Sequence, residues 1–157
     1  MAKYSDLEIN NLIAESKPLP LDWRSQIRMR EAGVSKMGDF DIEGVNNNKF
    51  RIILRQSHLN PLDFSIIFGV YPPGSNKLFH LRRYDGKSHE HTNPIEKQKF
   101  YDFHIHKATE RYQNYGTCEE DKYAEPTDRF SNYGEAIDCL LKDCGFELPD
   151  DPQLSLF

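Results

Sequence analysis

The chain has little cysteine, no long apolar stretch and no internal repeat. Its three cysteines, Cys118, Cys139 and Cys144, are odd in number and nowhere form a CxxC spacing. That argues against a disulfide framework and against a thiolate zinc site; Cys139 and Cys144 are expected to pack as small apolar residues. No apolar run approaches the ~18 residues that span a bilayer. The N-terminal MAKYSDLEINN lacks the basic-then-apolar layout of a secretory signal. The expectation is a cytoplasmic protein with no membrane partner.

What is present is enough to fold. A chain of 157 residues suits a single domain with its own core. With 38% hydrophobic residues, ten Phe and eight Tyr it lies outside the aromatic-poor compositions that stay disordered. The net charge of −5 is unevenly spread. Residues 1–48 carry −2, residues 49–113 carry +5 from eleven Lys/Arg against six Asp/Glu, and residues 114–157 carry −8. All six histidines fall in the basic middle, so an anionic ligand there stays open despite the overall charge.

The periodicity predicts an α+β domain: an antiparallel sheet of about five strands, with an N-terminal helix or helices and a C-terminal helix packed on its apolar face. Ser5 and Glu8 have capping-box spacing ahead of an Ile9, Leu12, Ile13 stripe. Asp22 is placed to cap a second short helix through Trp23–Glu31, which makes residues 5–33 the helical part. Alternation then marks a sheet over 38–108. One hairpin turns at Val45–Asn48, and a second joins Asp63–Tyr71 to Lys77–Tyr84 through Pro72-Pro73-Gly74-Ser75-Asn76. A fifth strand is expected at Lys99–Ala108. Ala136, Ile137, Leu140, Leu141 and Cys144 share one face of a helix within 131–145 that Gly145 ends, and 148–157 is expected as a loose tail.

Period two puts Asp102, His104 and His106 on one side of the fifth strand, and His80, Arg82 and Tyr84 on the polar side of the fourth. The loop Asp85-Gly-Lys-Ser-His-Glu-His-Thr-Asn93 adds His89, Glu90 and His91. Two chemistries suit such a set. In metal-independent phosphodiester cleavage His91, His104, His106 and Tyr84 trade protons, while Arg82, Arg111, Lys87 and His89 hold the phosphate. Imidazole titrates near pH ~6.5, and a guanidinium matches phosphate oxygens in two-point contact. No cofactor is then needed. Alternatively a divalent metal is held by His89, His91, His104 and His106, with Asp102 or Glu90 supplying oxygen. The plain alternative is a solvated, hydrogen-bonded strand face, which is the expectation for His58 and His80 taken singly. Tyr112 and Tyr115 are expected to pack beneath the acidic segment rather than to stack on bases, and Cys118–Lys122 to form a solvated loop.

The runs Phe50-Arg-Ile-Ile-Leu-Arg55, Asp63-Phe-Ser65, Arg83-Tyr-Asp-Gly-Lys-Ser-His-Glu-His-Thr-Asn93 and Phe103-His-Ile-His-Lys-Ala-Thr-Glu-Arg-Tyr112 resemble an uncharacterised prokaryotic family of similar length. The layout of residues 79–106, with Arg-Tyr-Asp followed by two histidine clusters, is similar to TumE-type toxins of toxin–antitoxin systems. That resemblance implies an RNA-directed, translation-blocking role. The expectations are thus an RNA partner, or, for a non-catalytic antitoxin-like module, a cognate protein partner.

Overall fold

In the computed structural model, described for residues 3–114 and 120–149, helix α1 spans Asp6–Ala14 and starts at a closed capping box. Ser5 Oγ accepts from Glu8 N at 3.1 Å, and Glu8 Oε1 accepts from Ser5 N at 2.9 Å. Its stripe of Ile9, Leu12 and Ile13 is buried. The chain leaves α1 through a short strand β1 at Lys17–Pro18. The fully buried Lys17 places Nζ 2.6–3.1 Å from the carbonyl oxygens of Leu12, Ile13, Glu15 and Cys144. One ammonium thus satisfies carbonyls left over at the ends of two helices.

The second predicted helix does not form. Residues 21–26 make turns, and the chain continues as an edge strand β2 at Arg30–Ala32, paired with β3 at Ser35–Glu43. The irregular spacing of Ile27 and Met29 explains this, because no helical stripe exists to bury. Trp23 packs its ring 6.5 Å from that of Phe40. Met29 lies over Gly38, where an added Cβ would meet its sulfur at 2.2 Å.

The sheet is larger than the five strands expected. After β3 come β4 (Lys49–Ser57), β5 (Phe64–Tyr71), β6 (Phe79–Asp85), β7 (His91–Asn93), β8 (Gln98–Phe100), β9 (His104–Lys107) and β10 (Ala124–Pro126). Seven of the strands form one antiparallel sheet in the order β10-β9-β6-β5-β4-β3-β2. Both predicted hairpin turns are present, with Asn47 at φ 67° and Gly74 at φ 75°. The predicted fifth strand is split: β8 pairs only with β7, and Tyr101–Phe103 breaks the run before β9 joins the sheet.

Phe50, Ile52, Leu54, Phe64, Ile66, Phe68 and Val70 are buried on one face. Helix α3, at Tyr133–Asp143, covers them with Ala136, Leu140 and Leu141, following a four-residue helix α2 at Glu110–Gln113. Each fully buried Leu or Phe is worth about 1.5–3 kcal/mol, so this face anchors the fold. Asn132 caps α3 through Glu135 N, and Gly145 ends it at φ 75° where a Cβ would meet Glu15 O at 2.5 Å. Strand β11 (Phe146–Glu147) then runs parallel to β1. Cys144 is buried beneath α3 and Cys139 partly so, both as free thiols. Tyr112 is buried against Tyr123, with its hydroxyl on Glu96. Tyr115, Cys118 and the tail from 150 lie outside the described residues. Among those residues no helix is long and apolar enough to cross a membrane.

Candidate metal centre

The composition of the histidine face is decided by one irregularity in β6. The pairing of β5 with β6 shifts between Phe68 and Gly69, so that Phe68 opposes Arg82 while Gly69 opposes His80, and Leu81 is the extra residue. At Gly69 a Cβ would stand 2.7 Å from Phe79 O, so only glycine fits at the bulge. Beyond it the faces exchange. Tyr84, placed by simple alternation with the histidines, is buried in the core with its hydroxyl 2.5 Å from Asp143. Arg82 lies with α1 residues Asp6 and Ile9. In their place Arg83 stands opposite His106, and Asp85 opposite His104. His80, before the bulge, keeps the predicted face and bonds Asp121 at 3.1 Å.

The β7–β8 hairpin folds onto this face and delivers His91. Its ring stacks on His104 with centroids 5.3 Å apart and meets His106 edge-on at 4.8 Å. Burial is deep, with His104, His106, Asp85 and His91 exposed by only 0%, 1%, 3% and 8%.

Each imidazole has one nitrogen held by a carbonyl-type oxygen, which can only accept. His104 Nδ1 donates to Asp102 O at 2.8 Å, His106 Nδ1 to Asp121 O at 2.7 Å, and His91 Nε2 to Asn93 Oδ1 at 2.7 Å. The Asn93 amide is itself fixed, since Nδ2 donates to Ala124 O at 2.7 Å and Oδ1 accepts from Ala124 N at 2.9 Å. These bonds put the protons outward and turn the lone pairs of His104 Nε2, His106 Nε2 and His91 Nδ1 inward, where His106 Nε2 accepts from Arg83 Nη2 at 2.8 Å. One ring nitrogen of each of the three lies within 4.8 Å of the others.

Asp85 Oδ2 lies beside two of the three, 3.4 Å from His104 Nε2 and 3.2 Å from His106 Nε2. His104 Nε2 and Asp85 Oδ1 are buried with no hydrogen-bond partner. Burial by itself would raise the Asp85 carboxyl, yet His104, His106 and Arg83 hold it well below the usual carboxylate range. Burial pushes His91 down to about 4, opposed by its bond to Asn93 and aided by His106 and His104; His106 is lowered as well, first by burial and then by Arg83. The lowered His91 and His106 and the ionised Asp85 favour the protonation states that metal ligands need. Donors about 3.3 Å apart surround a tetrahedral zinc ion bonded at ~2.0–2.2 Å, so the Asp85–histidine separations already fit.

The remaining predicted residues stand apart. His89 is exposed, with its ring edge-on to His104 at 6.0 Å and Nδ1 on Ser88 Oγ at 3.2 Å. Lys87 lies on the loop from β6 to β7. Arg111 pairs with Glu96 and lies over the Tyr112 and Tyr123 rings. Asp102 contributes its carbonyl rather than its carboxylate. His58 pairs with Glu31 at the surface. Sequence reasoning missed Asp85, Arg83, Asn93 and Asp121. The available signal was the run Phe79-His-Leu-Arg-Arg-Tyr84, whose two consecutive polar residues interrupt strict alternation as a bulge does.

Comparison with protein-family models, curated proteins and solved structures finds no match to this chain.

Proposed function

We propose that this is a metal-dependent protein whose centre takes a divalent ion of the zinc class on His91, His104, His106 and Asp85. The observation that carries the reading is the convergence of one ring nitrogen from each of His91, His104 and His106 to within 4.8 Å, with Asp85 Oδ2 3.2–3.4 Å from the Nε2 atoms of His104 and His106 and every outward N–H committed to an oxygen. A cation shared by the imidazoles and Asp85 would satisfy His104 Nε2 and Asp85 Oδ1, both buried without a hydrogen-bond partner. Three nitrogens and one oxygen favour zinc over magnesium or calcium, which prefer all-oxygen shells. Bound there, the ion supplies Lewis acidity toward an oxygen ligand. The chain's own part is to orient the ligands through Asn93 and the carbonyls of Asp102 and Asp121, and to keep the site dry.

This reading is preferred over metal-independent RNA cleavage. That mechanism needs an acid and a base that reach a strand, whereas His104 and His106 are fully enclosed. The test is metal analysis after dialysis against zinc, with a cobalt-substituted sample for its absorption spectrum. One ion per chain, a tetrahedral cobalt spectrum and loss of both in His104→Ala/His106→Ala are expected. A folded wild-type protein that retains no metal, or a double variant that binds it as tightly, overturns the reading.

A further inference from the structure

A partly exposed cation stands beside the proposed centre. The side chains of Asp85, His104 and His106 are exposed by 4%, 0% and 1%, whereas that of Arg83 beside them is exposed by 28%. Its Nη2 lies 2.8 Å from His106 Nε2 and its Nε 3.1 Å from Asp85 Oδ2. A cation held by His106 takes the one lone pair that Nε2 offers. The guanidinium then surrenders its His106 bond yet keeps its charge at the edge of the site.

Charge decides what comes next. A dication and a guanidinium lie side by side with Asp85 as the only anionic ligand. Asp121, whose carboxylate is 3.7 Å from Arg83 Nη1, is shared with His80 at 3.1 Å. Lys122 adds to the positive field at His91. The mouth of the site is therefore left with excess positive charge and with N–H donors in a planar fork. An anionic oxygen group satisfies both, with one oxygen toward the metal and another on the fork.

We infer that the centre accepts a small oxyanion, a phosphate monoester or a carboxylate, and that Arg83 is its substrate-binding residue. The inference rests on the metal reading above and goes beyond it: the anion's oxygen enters as a fifth ligand beside the three imidazoles and Asp85, an expansion that zinc centres allow. Arg83 is not a metal ligand, so its replacement separates the two. A neutral side chain there removes a competitor for the His106 and Asp85 lone pairs and leaves metal binding equal or tighter, while anion binding falls.

The experiment uses cobalt-loaded full-length protein, titrated with inorganic phosphate and separately with acetate, read by the visible spectrum and by calorimetry. Wild type is expected to show a saturable spectral change with one of the two. Phosphate points to phosphoryl substrates and acetate alone to carboxylates. Arg83→Gln is expected to bind that anion at least tenfold more weakly with one cobalt per chain retained, and Arg83→Lys, which keeps the charge but loses the fork, to fall between. Circular dichroism checks folding, and if the Gln variant is unfolded the Lys variant carries the test by the same criterion. Cobalt-loaded wild type that binds neither anion, or an Arg83 variant that binds as wild type does, overturns the inference and leaves the metal reading standing. Failure to load cobalt overturns both.

Discussion

Acid is expected to loosen the metal-free protein well above the pH at which its carboxylates titrate, with His91 responsible for most of the effect. Enclosed by Phe100, His104 and His106, His91 has its affinity for a proton lowered from the ordinary 6.5 to about 4 by burial. Between those values the unfolded chain binds a proton on this residue that the folded chain does not. Stability is therefore full above pH 6.5 and falls as the pH drops toward about 4. Each pH unit crossed costs about 1.4 kcal/mol, so the window is worth up to about 3 kcal/mol. His106, also lowered, works in the same direction. His80 opposes it, because its bond to Asp121 raises its pKa and makes a contribution that is lost as pH rises. The assay is urea unfolding of metal-free protein at several values between about pH 7 and about pH 4.5, on wild type and His91→Gln. Wild type is expected to lose stability faster than the variant by up to one proton's worth per pH unit. Equal slopes would falsify the assignment of a neutral, buried His91. Zinc at a thousandfold over its Kd should add about 4 kcal/mol near neutrality, and that gain should vanish on acidification as protons displace the metal.

Two further outcomes test the frame around the site. Lys17→Met should cost about 3 kcal/mol or more in chemical denaturation, because it abandons four buried carbonyls; burial lowers the lysine to about 8, so it is charged at neutral pH, and a near-neutral substitution would refute its role as a double helix cap. Neighbours across the β6 bulge should behave oppositely: Tyr84→Phe loses its bond to Asp143 and about 1–3 kcal/mol of stability with zinc affinity unchanged, whereas Asp85→Asn keeps the fold and lowers zinc affinity tenfold or more. Thermal melts with zinc titrations check both, and the reverse pattern would show that the bulge does not set the face.

Local chemistry in the sequence determined much of this protein. The Ser5–Glu8 box fixed α1, the Asn47 and Gly74 turns fixed two hairpins, and the stripe from Ala136 to Cys144 fixed α3, because capping, positive φ and helical periodicity act over a few residues. The same reading put His104 and His106 on one side, since a two-residue period puts both members of a His–x–His pair on one strand face, but left open whether His89 or His91 would reach them. It failed where the outcome depends on distant partners. Trp23–Glu31 is irregular and edge-paired because Phe40 and Gly38 receive its side chains. Residues 98–107 split because Gln98–Phe100 pairs with β7 while His104–Lys107 pairs with β6 and β10.

Only the tertiary structure decided which acid serves the histidines. A single extra residue at Leu81 reverses the facing of everything after it, so Tyr84 and Arg82 go to the helices while Asp85 and Arg83 turn to His104 and His106. The sequence by itself determined that a titratable face exists. Which nitrogens turn inward, which carboxylate lies beside them and which guanidinium reaches them follow from register and from hydrogen bonds to Asn93, Asp102 and Asp121, set by residues far apart in the chain.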